Sequence, residues 1–392
     1  VMEETTNNPL GTTALLPYDT VKDVLTRLPV QTLMRFETVS KPFLSLIRSA
    51  EFVSGHLKHS SRRPMILVRR FHHPTGSQFT LSFVEPGEPV LKDIRVPFFG
   101  SLVRYPKIVG SSAGVLCLDV SPCYALAFVL WNVATGRFRH LPRPALLDGP
   151  GRVFWMVAAG FAYDSLSGDF VVVRVVYFKS DPDYLHEARA EVYSSKTNSW
   201  TVFDRALTEP VLRLVSISEG QTGVLVNRSI NWVANGVGKL ANRKFVVCYD
   251  MLRQEFQRVC GPDTRPNICI KVMEFKESLA LALYPSLPVR RFDPEEGIGL
   301  GQAIMENIEL WVPEDGDGNR WTRLHSFAGP FPVVPGCPLG IWNDCELVVK
   351  RHEAQGVSLS VMDPRTQTVR RFPVCPPDFA CDVFRYVESL LL

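Results

Sequence analysis

Residues 16–47 read LPYDTVKDVLTRLPVQTLMRFETVSKPFLSLI, and this stretch decides how the rest of the chain is interpreted. Its first apolar residues follow the i, i+3, i+4, i+7 spacing that puts side chains on one face of a helix: Val21, Val24, Leu25 and Leu28. Pro29 ends that helix. A second short helix is predicted through Leu33, and Ser40 with Pro42 caps a third.

These three helices are too short to fold by themselves. Chains below ~40 residues rarely bury enough apolar surface without a metal, disulfides or a partner, and residues 16–47 contain no cysteine. The pattern therefore predicts that the helices present apolar side chains to a groove of another protein. An ordinary helical cap on the domain that follows is the alternative that the pattern leaves open.

The stretch resembles the F-box, the eukaryotic motif that docks on the Skp adaptor of cullin-based ubiquitin ligases. The resemblance is carried by Leu16-Pro17, Leu28-Pro29-Val30, Leu33, Arg35-Phe36, Val39-Ser40-Lys41 and residues 43–47. The sequence departs from the common plant pattern at Tyr18, Ser40 and Phe43, where an acidic residue, Cys and Trp are usual. The resemblance implies an adaptor-docking set of Leu16, Pro17, Val24, Leu25, Leu28, Pro29, Leu33, Arg35, Phe36, Val39, Phe43, Leu46 and Ile47.

The composition describes a globular chain. Of its 392 residues, 46% are hydrophobic and 21% charged, which is enough material for two domains. A net charge of +3 does not indicate binding to nucleic acid or to a membrane. No apolar run reaches membrane-spanning length, and residues 1–15, expected to form a flexible tail, lack the pattern of a signal peptide. We therefore expect a cytoplasmic or nuclear protein.

Motifs for metals, cofactors and catalysis are weak in this sequence. Nine cysteines at irregular spacing are typical of reduced thiols and lack the spacing of a zinc site. Residues 315–319 open like a calcium loop, but Arg320 replaces the required glycine, so a tight hairpin turn is predicted. The glycine-rich run 297–301 misses the dinucleotide-binding spacing and is interpreted as a flexible loop. We expect no metal, no cofactor and no catalytic residue.

Beyond a basic linker at residues 51–64, the pattern changes from helical to alternating. The linker carries five basic or histidine side chains, which indicate a solvated face; a phosphate-binding arm is the weaker alternative. Short runs separated by turn residues then predict β-strands. Examples of such runs lie at residues 79–84, 115–119, 170–176, 223–226, 245–249 and 279–283.

A weak repeat organises these strands. In each copy, a strand leads through a polar turn to a second strand that holds an aromatic residue. The copies lie at residues 130–138, 192–200, 248–256, 310–321 and 361–372. An interval of roughly fifty to sixty residues matches a four-stranded propeller blade with variable loops. With an opening hairpin near residues 79–96, six blades are predicted. The C-terminal strand near residues 385–391 is predicted to complete the blade that begins near Met65, because ring closure removes exposed sheet edges.

The same region resembles the F-box-associated domain of plant F-box proteins, a kelch-like propeller that captures substrates. The resemblance rests on residues 110–117, Trp131-Asn132, residues 160–164, 191–194 and 230–232, and Tyr386-Val387-Glu388-Ser389-Leu390. The predicted fold is mainly β, with a three-helix F-box followed by a β-propeller of six blades, the number given by the repeat count. The expected domains are a tail at 1–15, the F-box at 16–50, a linker at 51–64 and the propeller at 65–392.

The resemblance implies a substrate-recognition subunit of a Skp-cullin-F-box ubiquitin ligase. Its expected partners are a Skp-type adaptor, a cullin through that adaptor, and a protein substrate. An F-box scaffold that sequesters partners without degradation is one alternative, and a propeller enzyme acting on a small molecule is another. The S-locus F-box proteins form one branch of such plant proteins, and the motifs do not single out that branch.

The expected substrate-binding surface consists of long connections on one face of the propeller, because loops on a rigid scaffold often carry binding residues. The long connections are residues 142–155, 179–189, 204–220, 285–301 and 327–338. Interface centres favour aromatic and arginine side chains. The candidates of these types are Trp155, Tyr184, Arg213, Arg290, Arg291 and Phe331.

Overall fold

The computed structural model divides the chain into a short helical region followed by antiparallel sheets. It describes residues 17–72, 78–85, 88–95, 106–120, 127–146, 154–178, 187–218, 221–264, 268–285, 291–293, 297–299, 307–314, 320–327, 337–342, 345–353, 356–371 and 381–392. Within these ranges, no helix combines the length and the hydropathy needed to cross a bilayer.

Four helices form the N-terminal helical domain: α1 (Tyr18–Thr26), α2 (Val30–Phe36), α3 (Lys41–Ile47) and α4 (Ala50–Ser60). The first three confirm the predicted helices. Ser40 caps α3, since its Oγ accepts a hydrogen bond from the Phe43 amide at 3.4 Å. Ser49 caps α4 in the same way, with 3.2 Å to the Phe52 amide. Most of the segment predicted as a linker is therefore a fourth helix.

The helical domain has its own small core. Five apolar side chains from α1 to α4 are buried against one another: Leu25, Leu33, Leu46, Ile47 and Phe52. Phe52 comes from α4, which packs back on α1. The premise that the first three helices have no partner within the chain is therefore wrong, because α4 covers the apolar faces that those helices share.

The rest of the described chain forms seven sheets. Six of them are the blades of a β-propeller, as predicted, and the seventh is a two-stranded hairpin. Blade 1 contains β1 (Met65–His72), β2 (Gln78–Glu85) and β3 (Glu88–Arg95). Blade 2 contains β4 (Lys107–Ser112), β5 (Val115–Asp119), β6 (Phe128–Asn132) and β7 (Phe138–His140). Blade 3 contains β8 (Phe154–Asp164), β9 (Asp169–Phe178), β10 (Glu187–Ser194) and β11 (Ser199–Val202).

Blade 4 follows helix α5 (Arg205–Leu212) and contains β12 (Val215–Ile217), β13 (Val224–Val226), β14 (Ser229–Gly236), β15 (Lys244–Asp250) and β16 (Glu255–Cys260). Blade 5 contains β17 (Ile268–Phe275), β18 (Ser278–Pro285), β21 (Ile308–Pro313) and β22 (Trp321–Phe327) around a hairpin of β19 (Arg291–Asp293) and β20 (Gly297–Gly299). Blade 6 contains β23 (Cys337–Trp342), β24 (Glu346–Glu353), β25 (Gly356–Asp363) and β26 (Thr368–Arg371). The last strand of the chain is β27 (Cys381–Tyr386).

Two predicted loops contain regular structure. Residues 297–299 of the glycine-rich run form β20, which pairs with β19, so the expectation of a flexible loop there is wrong. The connection 204–220 contains α5. The turn predicted at residues 315–319 lies outside the described residues, although the strands on either side of it pair as a hairpin.

The ring closes through the two ends of the propeller segment. Strand β27 pairs with β1, with Met65 opposite Tyr386 and Arg70 opposite Cys381. The innermost strands then contact one another in a complete circuit of β27, β4, β8, β13, β17 and β23. The prediction that the C-terminal strand completes the blade begun near Met65 is confirmed, but the strand spans residues 381–386 and not 385–391. Closure leaves no unpaired inner edge in blade 1.

The sequence repeat marks the outer hairpin of each blade. In blade 2, Asn132 is the last residue of β6, the first strand of this hairpin. Its side-chain Oδ1 accepts hydrogen bonds from the Ala134 and Thr135 amides at 3.0 and 3.1 Å. Asp250 makes the same contacts two blades further on, at 2.8 and 3.0 Å. Such side chains stabilise tight turns by replacing a backbone acceptor. The repeat therefore reflects a turn that blades 2 and 4 share.

Candidate interaction surfaces

The predicted docking set divides by burial. Val24 and Val39 are large apolar side chains that are 50% and 65% exposed. Pro17, Pro29 and Arg35 are also exposed, and Leu28, Phe36 and Phe43 are half-buried. The rings of Phe36 and Phe43 lie 5.5 Å apart. The surfaces of these side chains are therefore accessible to a partner protein.

The other docking candidates form the core of the helical domain. Leu25, Leu33, Leu46 and Ile47 are at most 6% exposed, so a partner cannot contact them without unfolding the helices. Their effect on docking would come from holding the exposed side chains in place. Leu16 lies outside the described residues. The spacing pattern could not separate the two groups, because both occur on the apolar faces of the same helices.

His56 of α4 fixes the end of α1. Its Nε2 lies 3.0 Å from the Leu28 carbonyl oxygen, an acceptor, so we assign the proton to Nε2. The ring stacks on Phe52 and is only 2% exposed. Burial lowers the pKa of His56, which keeps the ring neutral near pH 7. His56 therefore positions Leu28 and Pro29, two of the predicted docking residues, and sequence analysis had placed it in a solvated linker.

The two edges of the propeller carry different connections. In an antiparallel blade, successive turns alternate between opposite edges. Short turns join the first strand to the second, as at residues 113–114, and the third to the fourth, as at 251–254. The chain enters β1 and leaves β27 at this same edge, because Met65 pairs with Tyr386. The helical domain therefore joins the propeller on the short-turn face.

The opposite face receives all five long connections. Each of them either joins the second strand of a blade to the third or leads from one blade to the next. All five therefore begin and end at the edge away from the helical domain, as the prediction of a single loop face requires. Strands occupy part of all five, because β8 begins at Phe154, β10 at Glu187, β12 at Val215, β19 at Arg291 and β23 at Cys337.

The predicted substrate-binding residues are placed unevenly. Arg213 is exposed and follows α5 directly. Trp155 lies within β8 rather than in a loop, and Arg291 begins β19; their side chains are outside the described residues. Tyr184, Arg290 and Phe331 are also outside the described residues. The structure thus places the backbone of Arg213, Trp155 and Arg291 at or near the loop face, and substrate binding by the six remains a prediction.

A buried ion pair holds the first long connection on blade 3. Arg174 of β9 and Glu191 of β10 are both completely buried and contact each other directly. The Glu191 carboxylate also accepts hydrogen bonds from the amides of Ala145 and Leu146 at 2.8 and 2.9 Å. The guanidinium carbon lies 5.9 Å from the Trp200 ring centroid. Sequence analysis missed this pair, since nothing in either strand's pattern distinguishes a buried charge from an exposed one.

Blade 4 exposes basic side chains that lie close together on the loop face. The Val237 amide donates to the Leu214 carbonyl at 2.9 Å, which joins the segment after α5 to the β14–β15 connection. Arg213, Lys239 and Arg243 are exposed along these two segments. The grouping was not predicted, because it depends on pairing between segments more than twenty residues apart.

Family comparisons follow the same division of the chain. Residues 14–54 match the F-box domain, and residues 112–325 match the F-box associated beta propeller domain. The second match covers more than half of the chain. The chain belongs to the F-box-associated propeller family. The helical domain is its F-box, and the resemblance inferred from the sequence is confirmed.

Curated relatives of this F-box protein come from Arabidopsis thaliana. F-box protein CPR1 is 29% identical over 273 residues, which is 65% of this chain and 62% of that protein. An F-box/kelch-repeat protein is 26% identical over 380 residues, which is 91% of this chain and 90% of that protein. Among solved structures, the Pseudomonas aeruginosa periplasmic gluconolactonase superposes on 83% of this chain with a TM-score of 0.40 and 8% identity. Nothing about activity follows from that superposition.

A large cavity lies between the F-box and the centre of the propeller. Its volume is 2130 Å³, and it is lined by the inner strands, by residues 26–29 and by residues 56–57 and 59–65. Arg69 pairs with Asp382 in it, and Arg385 contacts Glu274 at 3.3 Å. Burial raises the pKa of Glu274.

A thiol and a phenol meet on the described part of the cavity wall. The Cys337 Sγ lies 3.6 Å from the Tyr284 hydroxyl, and burial, followed by the neighbouring thiols, raises the pKa of Tyr284. The phenol therefore stays protonated near neutral pH. In the described part of the chain, no three metal-binding side chains come together, and the cysteines are free thiols.

Proposed function

We propose that this protein is the substrate-recognition subunit of a Skp-cullin-F-box ubiquitin ligase. In this proposal the F-box docks a Skp-type adaptor, and through it a cullin, while the propeller captures a protein substrate. The observation that supports it most strongly is the position of the F-box on the short-turn face, opposite the long connections. Two proteins could then bind at once without competing for the same surface.

The proposed mechanism is proximity. A chain that holds a ligase at one end and a target at the other raises the effective concentration of target lysines near the ubiquitin donor. The chain itself needs no catalytic group for this, so its role would be that of a non-catalytic adaptor. Its place of action would be the cytoplasm, the nucleus or both, where the ubiquitin ligases of this class are assembled.

The exposed part of the F-box supplies the sharpest test. Replacing Val24 and Val39 with Glu adds charge where the structure shows exposed apolar side chains, and leaves the F-box core intact. An interface anchor contributes about 2 kcal/mol, so we expect retention by an immobilised plant Skp-type adaptor to fall by ~30-fold or more. The measurement is the dissociation constant of the purified full chain by surface plasmon resonance.

The matched control is Leu252→Glu, which makes the same change at a side chain that is 69% exposed in a blade 4 turn. We expect it to leave adaptor binding unchanged. Undiminished binding of the Val24→Glu, Val39→Glu variant would reject the docking face. A wild-type chain that does not bind any adaptor would reject the ligase role itself. If the adaptor binds and a captured protein is not ubiquitinated in a reconstituted ligase, the chain acts as a sequestering scaffold.

A further inference from the structure

The last six residues of the chain run between the F-box and blade 2. They follow β27 and have no regular secondary structure, and we name residues 387–392 the C-terminal strap. Ser389 at its centre is completely buried. Because β27 already closes the propeller at Tyr386, the strap is not needed to complete a blade.

The strap is held on the propeller by Asn132. The side-chain Nδ2 of Asn132 donates to the carbonyl oxygens of Ser389 and Leu391 at 2.9 and 2.6 Å. Gly114 allows the close approach, since a Cβ at that position would lie 2.4 Å from the Ser389 Oγ. The positive φ of Gly114, 79°, is a second reason for glycine there. The same Asn132 side chain thus closes a blade turn and anchors the strap.

The strap is held on the F-box by Glu388 and Leu390. Helix α2 begins after Pro29, which has no side chain able to cap it. The Glu388 carboxylate fills that role from the other end of the chain, accepting a hydrogen bond from the Val30 amide at 3.1 Å. Leu390 packs against the F-box core cluster, next to Ile47 and Val53. The F-box core therefore includes a side chain that lies more than 330 residues away in sequence.

The second connection between the domains is the short segment 61–64 at the end of α4. Its backbone accepts one long hydrogen bond, 3.4 Å, from Arg385 to the Ser61 carbonyl. Arg62 and Arg63 are exposed. A single covalent connection of this kind lets the F-box rotate relative to the propeller, whereas contacts at two separated points restrict that rotation.

We propose that the C-terminal strap is a positioning element that fixes the orientation of the F-box on the propeller, with Glu388, Leu390 and Asn132 as its contacts. Together with the proposed ligase function, this would set the direction in which the propeller presents a captured protein to the adaptor side. The geometric part of the proposal does not depend on that function.

The test measures orientation in the full chain without any partner. Donor and acceptor dyes are placed at Lys58 of α4 and Thr197 of blade 3, both exposed, through incorporated unnatural amino acids. We expect a narrow single-molecule FRET distribution for the wild type and a distribution at least about twice as broad for Glu388→Ala, Leu390→Ala. Hydrogen exchange of the α2 amides should accelerate about tenfold in the same variant.

Conservative variants separate positioning from general destabilisation. Glu388→Gln keeps an oxygen acceptor for the Val30 amide and Leu390→Met keeps the apolar volume, so the chain with both changes should retain the narrow distribution. Asn132→Asp keeps the turn acceptor but loses both strap donors, and should broaden the distribution from the propeller side. A Glu388→Ala, Leu390→Ala chain with the wild-type distribution and exchange rates would overturn the proposal. Failure of the wild type to bind an adaptor would overturn only the ligase function.

Discussion

Removing only one charge of the Arg174–Glu191 pair should lower the free energy of unfolding far more than replacing both residues. Glu191→Gln leaves a guanidinium that is 0% exposed without its anion, and breaking one side of a buried pair typically costs about 3–5 kcal/mol. The amide oxygen of Gln can still accept from the Ala145 and Leu146 amides, so the loss is mainly the unpaired charge. The double variant Arg174→Met, Glu191→Gln removes both charges and should lie within ~1–2 kcal/mol of the wild type.

The assay is the free energy of opening of β9 and β10, from native-state hydrogen exchange with mass spectrometry. The double-mutant cycle should give a coupling of about 2 kcal/mol or more. The control cycle uses Arg370 and Glu346, a pair at 2.7 Å in which the arginine is 58% exposed, so that solvent screening should keep the coupling below ~1 kcal/mol. A Glu191→Gln cost no larger than that of Glu346→Gln, or additive single effects, would refute the interpretation of the buried pair.

Two further predictions concern the ring and the F-box. Deleting residues 381–392 exposes the inner edge of β1, so size-exclusion chromatography should show aggregated protein. A control chain that ends at Tyr386 keeps β27 and should stay monomeric. If the 381–392 deletion is monomeric and melts cooperatively, β27 does not close the ring. Burial holds the pKa of His56 below its ordinary 6.5, so its contribution to stability is complete above about pH 6.5 and is lost as the pH falls toward the folded-state value. The hydrogen-exchange rate of the α4 amides, corrected for intrinsic rates, should therefore rise on acidification more in the wild type than in His56→Gln. Equal pH profiles of the two proteins would show that His56 does not contribute to the pH dependence of stability.

Features that depend on neighbours in sequence were predictable. Proline and serine mark the ends of α1 to α3 because caps act within one turn of a helix. The blades could be counted because a repeated hairpin marks them, and in blades 2 and 4 that hairpin is held by a turn residue at the same offset, Asn132 or Asp250. Closure by β27 followed from the need to cover a sheet edge.

Features that depend on distant contacts were not predictable. Nothing near Leu33 indicates that it is buried while Val39 is exposed, since the difference arises from α4 and from Leu390. Helix α4 was interpreted as a linker because of its basic residues, although a helix can carry such residues on its solvent-exposed side. Helix α5 was interpreted as a loop because it contains Pro210, and proline indicates a loop when no tertiary contact is known.

Ring closure by β27 also orders events during synthesis. β1 leaves the ribosome more than 300 residues before the strand that pairs with its inner edge, a delay of roughly 15–60 s at the usual rates of translation. Throughout that interval, blade 1 has an open edge of the kind that chaperones protect. Glu388 and Leu390 are made later still, so the F-box receives these contacts only after translation has passed residue 390. A nascent chain that has not reached residue 388 therefore carries an F-box without them.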